Sequence, residues 1–263
     1  MTYLSFLALF LVIPLGMLVA SLLIMARQGR PLPGAAPIAL LAHVALAVAY
    51  TTPWDNYLVA TRVWTYDPAR VLGVTFGWVP LEEYLFFVLQ TLLSGLIALA
   101  LARRLPTAGV TPGGRPPRTA AALALAAVWL AALLALAASW NPGTYLALEL
   151  VWALPPIALQ VAVGGDVLWR NRRAVLAALL SVTLFLSAAD FLAIRTGIWT
   201  IDPHQSLNLF IGGALPIEEV VFFLLTNTLV IFGLTLSLAP ETWERWGQLK
   251  AAFGRRPSVG EGA

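Results

Sequence analysis

The chain has 263 residues, of which 60% are hydrophobic and 11% charged, with 16 Lys and Arg against 13 Asp and Glu. An average soluble domain carries about 25% charged residues, so this composition excludes both a soluble globular enzyme and a disordered chain. There is no cysteine, which excludes disulfides, zinc–thiolate sites and iron–sulfur clusters, and the two histidines, His43 and His204, are too few for a multi-histidine metal site.

A membrane-crossing helix needs about 20 mostly apolar residues. Seven such runs follow in chain order, over 2–26, 38–57, 79–102, 119–138, 143–163, 174–194 and 212–238. The first has no basic leader and exceeds the apolar core of about 7–15 residues of a cleavable signal. The predicted fold is all-α integral membrane, with seven transmembrane helices. The loops after spans one, three and five and the C-terminal tail hold Arg27, Arg30, Arg103, Arg104, Arg115, Arg118, Arg170, Arg172, Arg173, Arg245, Lys250, Arg255 and Arg256, which is 13 of the 16 basic residues. The opposite side holds only Arg62, Arg70 and Arg195. The positive-inside rule then predicts an N-terminus outside and a C-terminus in the cytoplasm, in the cell (inner) membrane. Clusters between apolar runs do not make a nucleic-acid surface, so no nucleic-acid partner is expected despite a sequence pI of 9.6.

The chain repeats itself. Asp55, Trp64, Thr65, Asp67 and Pro68 match Asp190, Trp199, Thr200, Asp202 and Pro203 at an offset of 135. Pro80, Glu82, Glu83, Phe86 and Phe87 match Pro216, Glu218, Glu219, Phe222 and Phe223 at an offset of 136. More weakly, Tyr3, Leu4 and Pro14 match Tyr145, Leu146 and Pro156. Each half is thus expected to be three helices, with span four as the linker (3+1+3). Four crossings bring the second half in from the side of the first, which makes parallel repeats about a pseudo-two-fold axis along the membrane normal. The expected units are 1–105 and 142–240 for the repeats, 106–141 for the linker with span four, and 241–263 for a cytoplasmic basic tail.

Each Pro-x-Glu-Glu is first a helix start, since proline suits the first turn and carboxylates there oppose the helix dipole. Yet the segments before them, 71–79 and 207–215, are almost wholly apolar. That puts Glu82, Glu83, Glu218 and Glu219 near the hydrocarbon boundary, where ionisable groups are costly and are read first as functional. Phe86, Phe87, Phe222 and Phe223 follow them at four-residue spacing, on the same helix faces. Carboxyl groups in apolar surroundings tend to keep their proton and can act as general acids. Aromatic faces stabilise positive charge. Acids beside aromatics in a greasy cavity suit protonation of an alkene and guidance of the resulting carbocation.

The candidate catalytic residues are Glu82, Glu83, Glu218, Glu219, Asp55 and Asp190. The candidate aromatics are Trp64, Trp199, Tyr66, Trp78, Phe86, Phe87, Phe222 and Phe223, with Tyr57 as a further one. An interfacial belt or core packing is the plainer role for each aromatic. Asp67 and Asp202 precede prolines and are expected to form turns. Arg62 and Arg195 are possible partners of the acids. Glu149 has no acidic twin and could pair with Gln160 if the chain bends near Pro155 and Pro156. His43 is expected to be packed and hydrogen-bonded, and Thr226 and Asn227 to join helices.

The doubled unit of Asp, then Trp-Thr, then Pro-x-Glu-Glu-x-x-Phe-Phe resembles the heterodimeric-type lycopene beta-cyclases, which occur as two three-helix subunits, as fused chains, or fused to phytoene synthase in fungi. The resemblance covers roughly residues 3–238 and is closest to the fused form. It implies a carotenoid substrate with an acyclic end, protonated at C2. The C5–C6 double bond then closes on the C1 cation, and loss of a proton from C6 leaves a beta-ring. This is an isomerisation without net redox change, so no cofactor and no metal is implied, and other carotenoid-pathway enzymes are possible partners. The chain also carries no dinucleotide fingerprint.

Three other classes fit less well. A retinal protein needs a Schiff-base lysine in its last span, and Lys250, the single lysine, lies beyond it. A small repeat-built transporter would show polar lining along its spans, which is almost absent below the Glu pairs. A membrane prenyl transferase would need aspartate clusters for magnesium and diphosphate, and no such pair stands within a span.

Overall fold

The computed structural model describes residues 1–105 and 118–254. The first part of the predicted linker, the end of the predicted tail, and Arg115, Arg255 and Arg256 lie outside the described residues. Among the described residues, seven helices are long and apolar enough to cross a membrane: α1 (Tyr3–Arg27), α2 (Ala36–Ala60), α3 (Leu81–Arg104), α4 (Arg118–Ala137), α5 (Thr144–Arg170), α6 (Arg172–Arg195) and α7 (Ile217–Ser237). An eighth, α8 (Pro240–Gly254), follows within the predicted tail.

The boundaries shift where polar groups decide them. The third and seventh helices begin at Leu81 and Ile217, because the apolar residues before them form hairpins instead of helical turns. Helix α5 outruns its predicted end and reaches Arg170, passing a kink at Gly164. Helix α2 continues to Ala60, so Asp55 sits inside it, not at its end. Pro14 lacks the N–H that would close an ordinary turn, and α1 meets this with a π-helical turn over Ala8–Val12.

Helices α3, α6 and α7 form the buried centre, while α4 lies outside and packs along α5. The main core joins Phe86, Phe87 and Leu93 of α3 with Val182 and Leu186 of α6 and Phe222 and Phe223 of α7. A polar knot crosses it below both Glu pairs, where almost no polar residues are expected from the sequence. Asn227 accepts from Ser94 Oγ at 2.7 Å and donates to Thr183 Oγ1 at 3.1 Å, while Gln90 donates to Thr226 Oγ1 at 2.8 Å. At the end carrying α8, Asp166 pairs with Arg118 at 3.2 Å and Arg245 at 2.6 Å, and Arg170 pairs with Glu241.

Among the described residues, the opposite end carries six short strands: β1 (Trp64–Tyr66), β2 (Thr75–Phe76), β3 (Val79–Pro80), β4 (Trp199–Ile201), β5 (Phe210–Ile211) and β6 (Leu215–Pro216). Strands β2–β3 and β5–β6 are local hairpins. Strands β1 and β4 pair antiparallel with each other, and Thr65 faces Thr200. Reciprocal bonds flank them, from Asp67 N to Ile198 O at 3.0 Å and from Asp202 N to Val63 O at 2.9 Å.

Because Asn227 is the shared partner of α3 and α6, Asn227→Leu is expected to lower stability by about 1 kcal/mol, as interhelical hydrogen bonds in membranes do. Thermal unfolding in detergent measures this.

Candidate active site

Pro80 and Pro216 fix extended backbone just before α3 and α7, so both glutamates of each pair fall in a first helical turn. The two members of each pair face different ways. Glu82 Oε1 accepts the Leu72 N–H at 2.6 Å, and Glu218 Oε1 accepts the Leu207 N–H at 2.7 Å. These two carboxyls tie the preceding loops to their helices. Their other oxygens are buried without a hydrogen-bond partner.

Glu83 and Glu219 point instead into one shared cavity between the halves. It has a volume of about 30 Å³ and is walled by Tyr3, Trp64, Tyr66, Phe86, Tyr145, Asp190, Trp199, Ile201, Phe222 and Phe223 besides the two glutamates. That is room for about one water-sized group. Glu83 Oε2 accepts from the Tyr3 hydroxyl and from the Tyr66 hydroxyl, the latter at 2.9 Å. Glu219 Oε1 accepts from the Tyr145 hydroxyl at 2.9 Å. Burial, and then the charge of Glu83 beside it, push the Tyr66 phenol well above the usual tyrosine value of 10.0. It therefore stays a neutral donor.

The equivalent residues do not all make equivalent bonds. Tyr3 N donates to Arg70 O at 2.8 Å and Tyr145 N to Gln205 O at 2.9 Å, a matched pair. At the position of Tyr66 the second half has Ile201, so Glu219 lacks the second phenol. Asp190 lies against Glu219 and accepts from Trp199 Nε1 at 2.9 Å. In the first half both Asp55 oxygens and Trp64 Nε1 are buried without a hydrogen-bond partner.

Six of the eight expected aromatics thus line the cavity. Trp78 does not. It is 68% exposed at the tip of the β2–β3 hairpin, where an apolar side chain meets membrane or solvent. Phe87 turns to a neighbouring space, and Tyr57 is exposed. Glu82, Glu218 and Asp55 stay outside the cavity wall. Asp67 and Asp202 form turns, accepting from Ala69 N and His204 N at 2.9 Å each. Among the described residues, Arg62 and Arg195 make no ion pair with the acids; Arg195 lies over the Phe191 ring instead. Gln160 donates to Leu229 O at 3.0 Å, away from Glu149. Glu149 is fully buried, one turn beyond Tyr145 and near Glu219. Tyr3, Tyr145 and Ile201 are the wall residues absent from the sequence expectation, although the two tyrosines stood in the weakest match of the duplication.

Glu82→Ala is expected to free the 71–80 loop, since leaving the Leu72 N–H without its acceptor costs about 1–3 kcal/mol. Limited proteolysis should cut that loop faster, and Glu82→Gln, which keeps an acceptor oxygen, should restore most of the protection.

A family model described as Lycopene cyclase matches residues 1–101 and 142–237, leaving out α4 and its flanking loops. A lycopene beta-cyclase of Halobacterium salinarum strain R1 is 47% identical over 193 residues, covering 73% of this chain and 79% of that protein. A bifunctional lycopene cyclase/phytoene synthase of Podospora anserina is 34% identical, covering 71% of this chain and 32% of that longer protein. One of Sporisorium reilianum is 37% identical, covering 71% and 28%. No solved structure matches the chain. With the family model spanning both three-helix blocks and the acidic motif of each, the chain belongs to the lycopene cyclase family.

Proposed function

We propose that this membrane enzyme closes the acyclic ends of lycopene into beta-rings by acid–base catalysis in the cavity shared by its two halves. One observation carries the assignment. Glu83 and Glu219 come from different halves, yet they face the same small, aromatic, water-poor space. A carboxylic acid there can protonate C2 of the end group. The C5–C6 pair attacks the C1 cation, forming the C1–C6 bond and leaving charge at C5. Loss of the C6 proton to a carboxylate then restores the double bond, so the protons balance and nothing is oxidised or reduced.

The surroundings divide the roles. Two phenolic bonds converge on one oxygen of Glu83, an arrangement that suits a carboxylate base. Glu219 shares its corner with Asp190, and two adjacent carboxyls hold a proton between them, which suits the acid. The rings of Trp64, Trp199, Phe86 and Phe222 offer π-faces to the cation. Glu82 and Glu218 position the loops. A duplicated three-helix unit about a two-fold axis accounts for why Thr65 and Thr200 oppose each other. The distribution of basic residues supports an orientation with the site end outside and α8 on the cytoplasmic side of the cell membrane.

Glu83→Gln and Glu219→Gln, made separately, are each expected to reduce cyclisation of lycopene by roughly 10²-fold or more, as loss of a general acid or base does. Pigment analysis in a lycopene-producing host reads this, and full activity in either variant contradicts a shared cavity. For orientation, a single cysteine at Thr2 should react with an impermeant maleimide added to intact cells, and one at Gly247 only after lysis.

A further inference from the structure

Phe222 is a wall of two spaces. On its other side lies a larger groove of about 240 Å³, between α2 and α5 and floored by α3 and α7. Ala47, Thr51, Phe87, Trp152, Thr226 and Val230 line it. It runs inward along α7, since Val230 follows Glu219 by 11 residues, or about 16 Å at the helical rise of about 1.5 Å per residue. A file of rings leads from the acid cavity to the groove. Trp54 stacks on Phe222 at 6.0 Å and on Trp152 at 4.4 Å, and Trp152 stacks on Tyr50 at 5.6 Å. The mouth faces the bilayer at Leu46, which is 63% exposed. His43 and Gln160 close the deep end, where a Cβ on Gly233 would come within 2.5 Å of His43 Nε2.

The counterpart position in the other half is filled. By the offset of 135, Ala47 corresponds to Val182 and Thr51 to Leu186. Val182 and Leu186 are 0% and 1% exposed and belong to the main core. Two acids thus share one cavity, and that cavity adjoins this groove.

We propose that this groove is the binding site for the polyene chain of the carotenoid, which slides in sideways from the bilayer past Leu46 and reaches Glu83 and Glu219 when the Phe222 ring turns aside. The occupant is a flat, rigid, wholly apolar conjugated chain, which suits a slot walled by stacked rings. This assignment rests on the cyclase reading of the acid cavity. It adds that one end is processed at a time: the second ring requires release of the monocyclic product and rebinding with the chain reversed.

The test fills the groove without touching the acids. Ala47→Phe/Thr51→Leu is introduced into the full chain and into its Glu83→Gln/Glu219→Gln form, and lycopene retained per protein is read from its visible absorbance after purification. The Glu83→Gln/Glu219→Gln form with an open groove is expected to retain lycopene, and filling should lower retention at least tenfold. In the active chain, filling should lower turnover similarly. If the filled chain keeps the same helical content and melting temperature yet binds and cyclises lycopene as before, the groove holds a lipid acyl chain or nothing, and the proposal falls. Should the double variant not fold, Ala47→Phe alone carries the same two readouts. Normal cyclisation by the Glu→Gln forms would instead overturn the acid assignment, and lycopene retention would still decide the groove.

Discussion

A carboxyl group withdrawn from water must find donors or a proton, and among the described residues this bundle withdraws seven of them. Asp55, Glu82, Glu83, Glu149, Asp190, Glu218 and Glu219 are all buried, and among the described residues no lysine or arginine is buried beside them. An isolated buried carboxylate is very costly. The donors here are neutral: the hydroxyls of Tyr3, Tyr66 and Tyr145, the indole of Trp199, and the backbone N–H groups of Leu72 and Leu207. At the α8 end, Asp166 and Glu241 pair with Arg118, Arg245 and Arg170. A site without buried counter-cations leaves its acids free to hold and pass protons, which is what chemistry on a hydrocarbon needs.

The same constraint explains why each Glu-Glu pair is split. Consecutive residues on a helix diverge by about 100°, so neighbours cannot face one target. The first member therefore stabilises the loop, and the second reaches the cavity. The loops need that anchor because they are apolar outside, with Leu72, Phe76, Trp78, Leu209 and Phe210 all exposed. Little in their own side chains would hold their backbone in place.

Much of this was legible in the sequence. Helix number followed from apolar length alone, since a span of about 20 residues admits few alternatives. The acids stood out because they sat in apolar surroundings twice, at matched distances from Asp and Trp. Less legible was which acid does what. Glu82 and Glu83 are chemically identical neighbours, and only the helix phase separates them. Tyr3 and Tyr145 were visible as a weak match, but nothing in α1 or α5 alone says that their hydroxyls meet Glu83 and Glu219. Trp78 was indistinguishable from Trp64 by residue type; a hairpin turns one outward, while a strand pairing buries the other.

The sequence by itself determined the membrane class, the seven spans and the duplicated acidic units, because apolar length and residue spacing are local properties that survive without coordinates. The tertiary structure decided the rest. The β1–β4 pairing brings two distant halves onto one cavity, and the crossing of the helices selects which oxygen meets which donor. Side-chain volume at paired positions, Ala47 against Val182 and Thr51 against Leu186, then leaves one groove open and its counterpart packed. Packing depends on what lies across the gap, and no single helix carries that information.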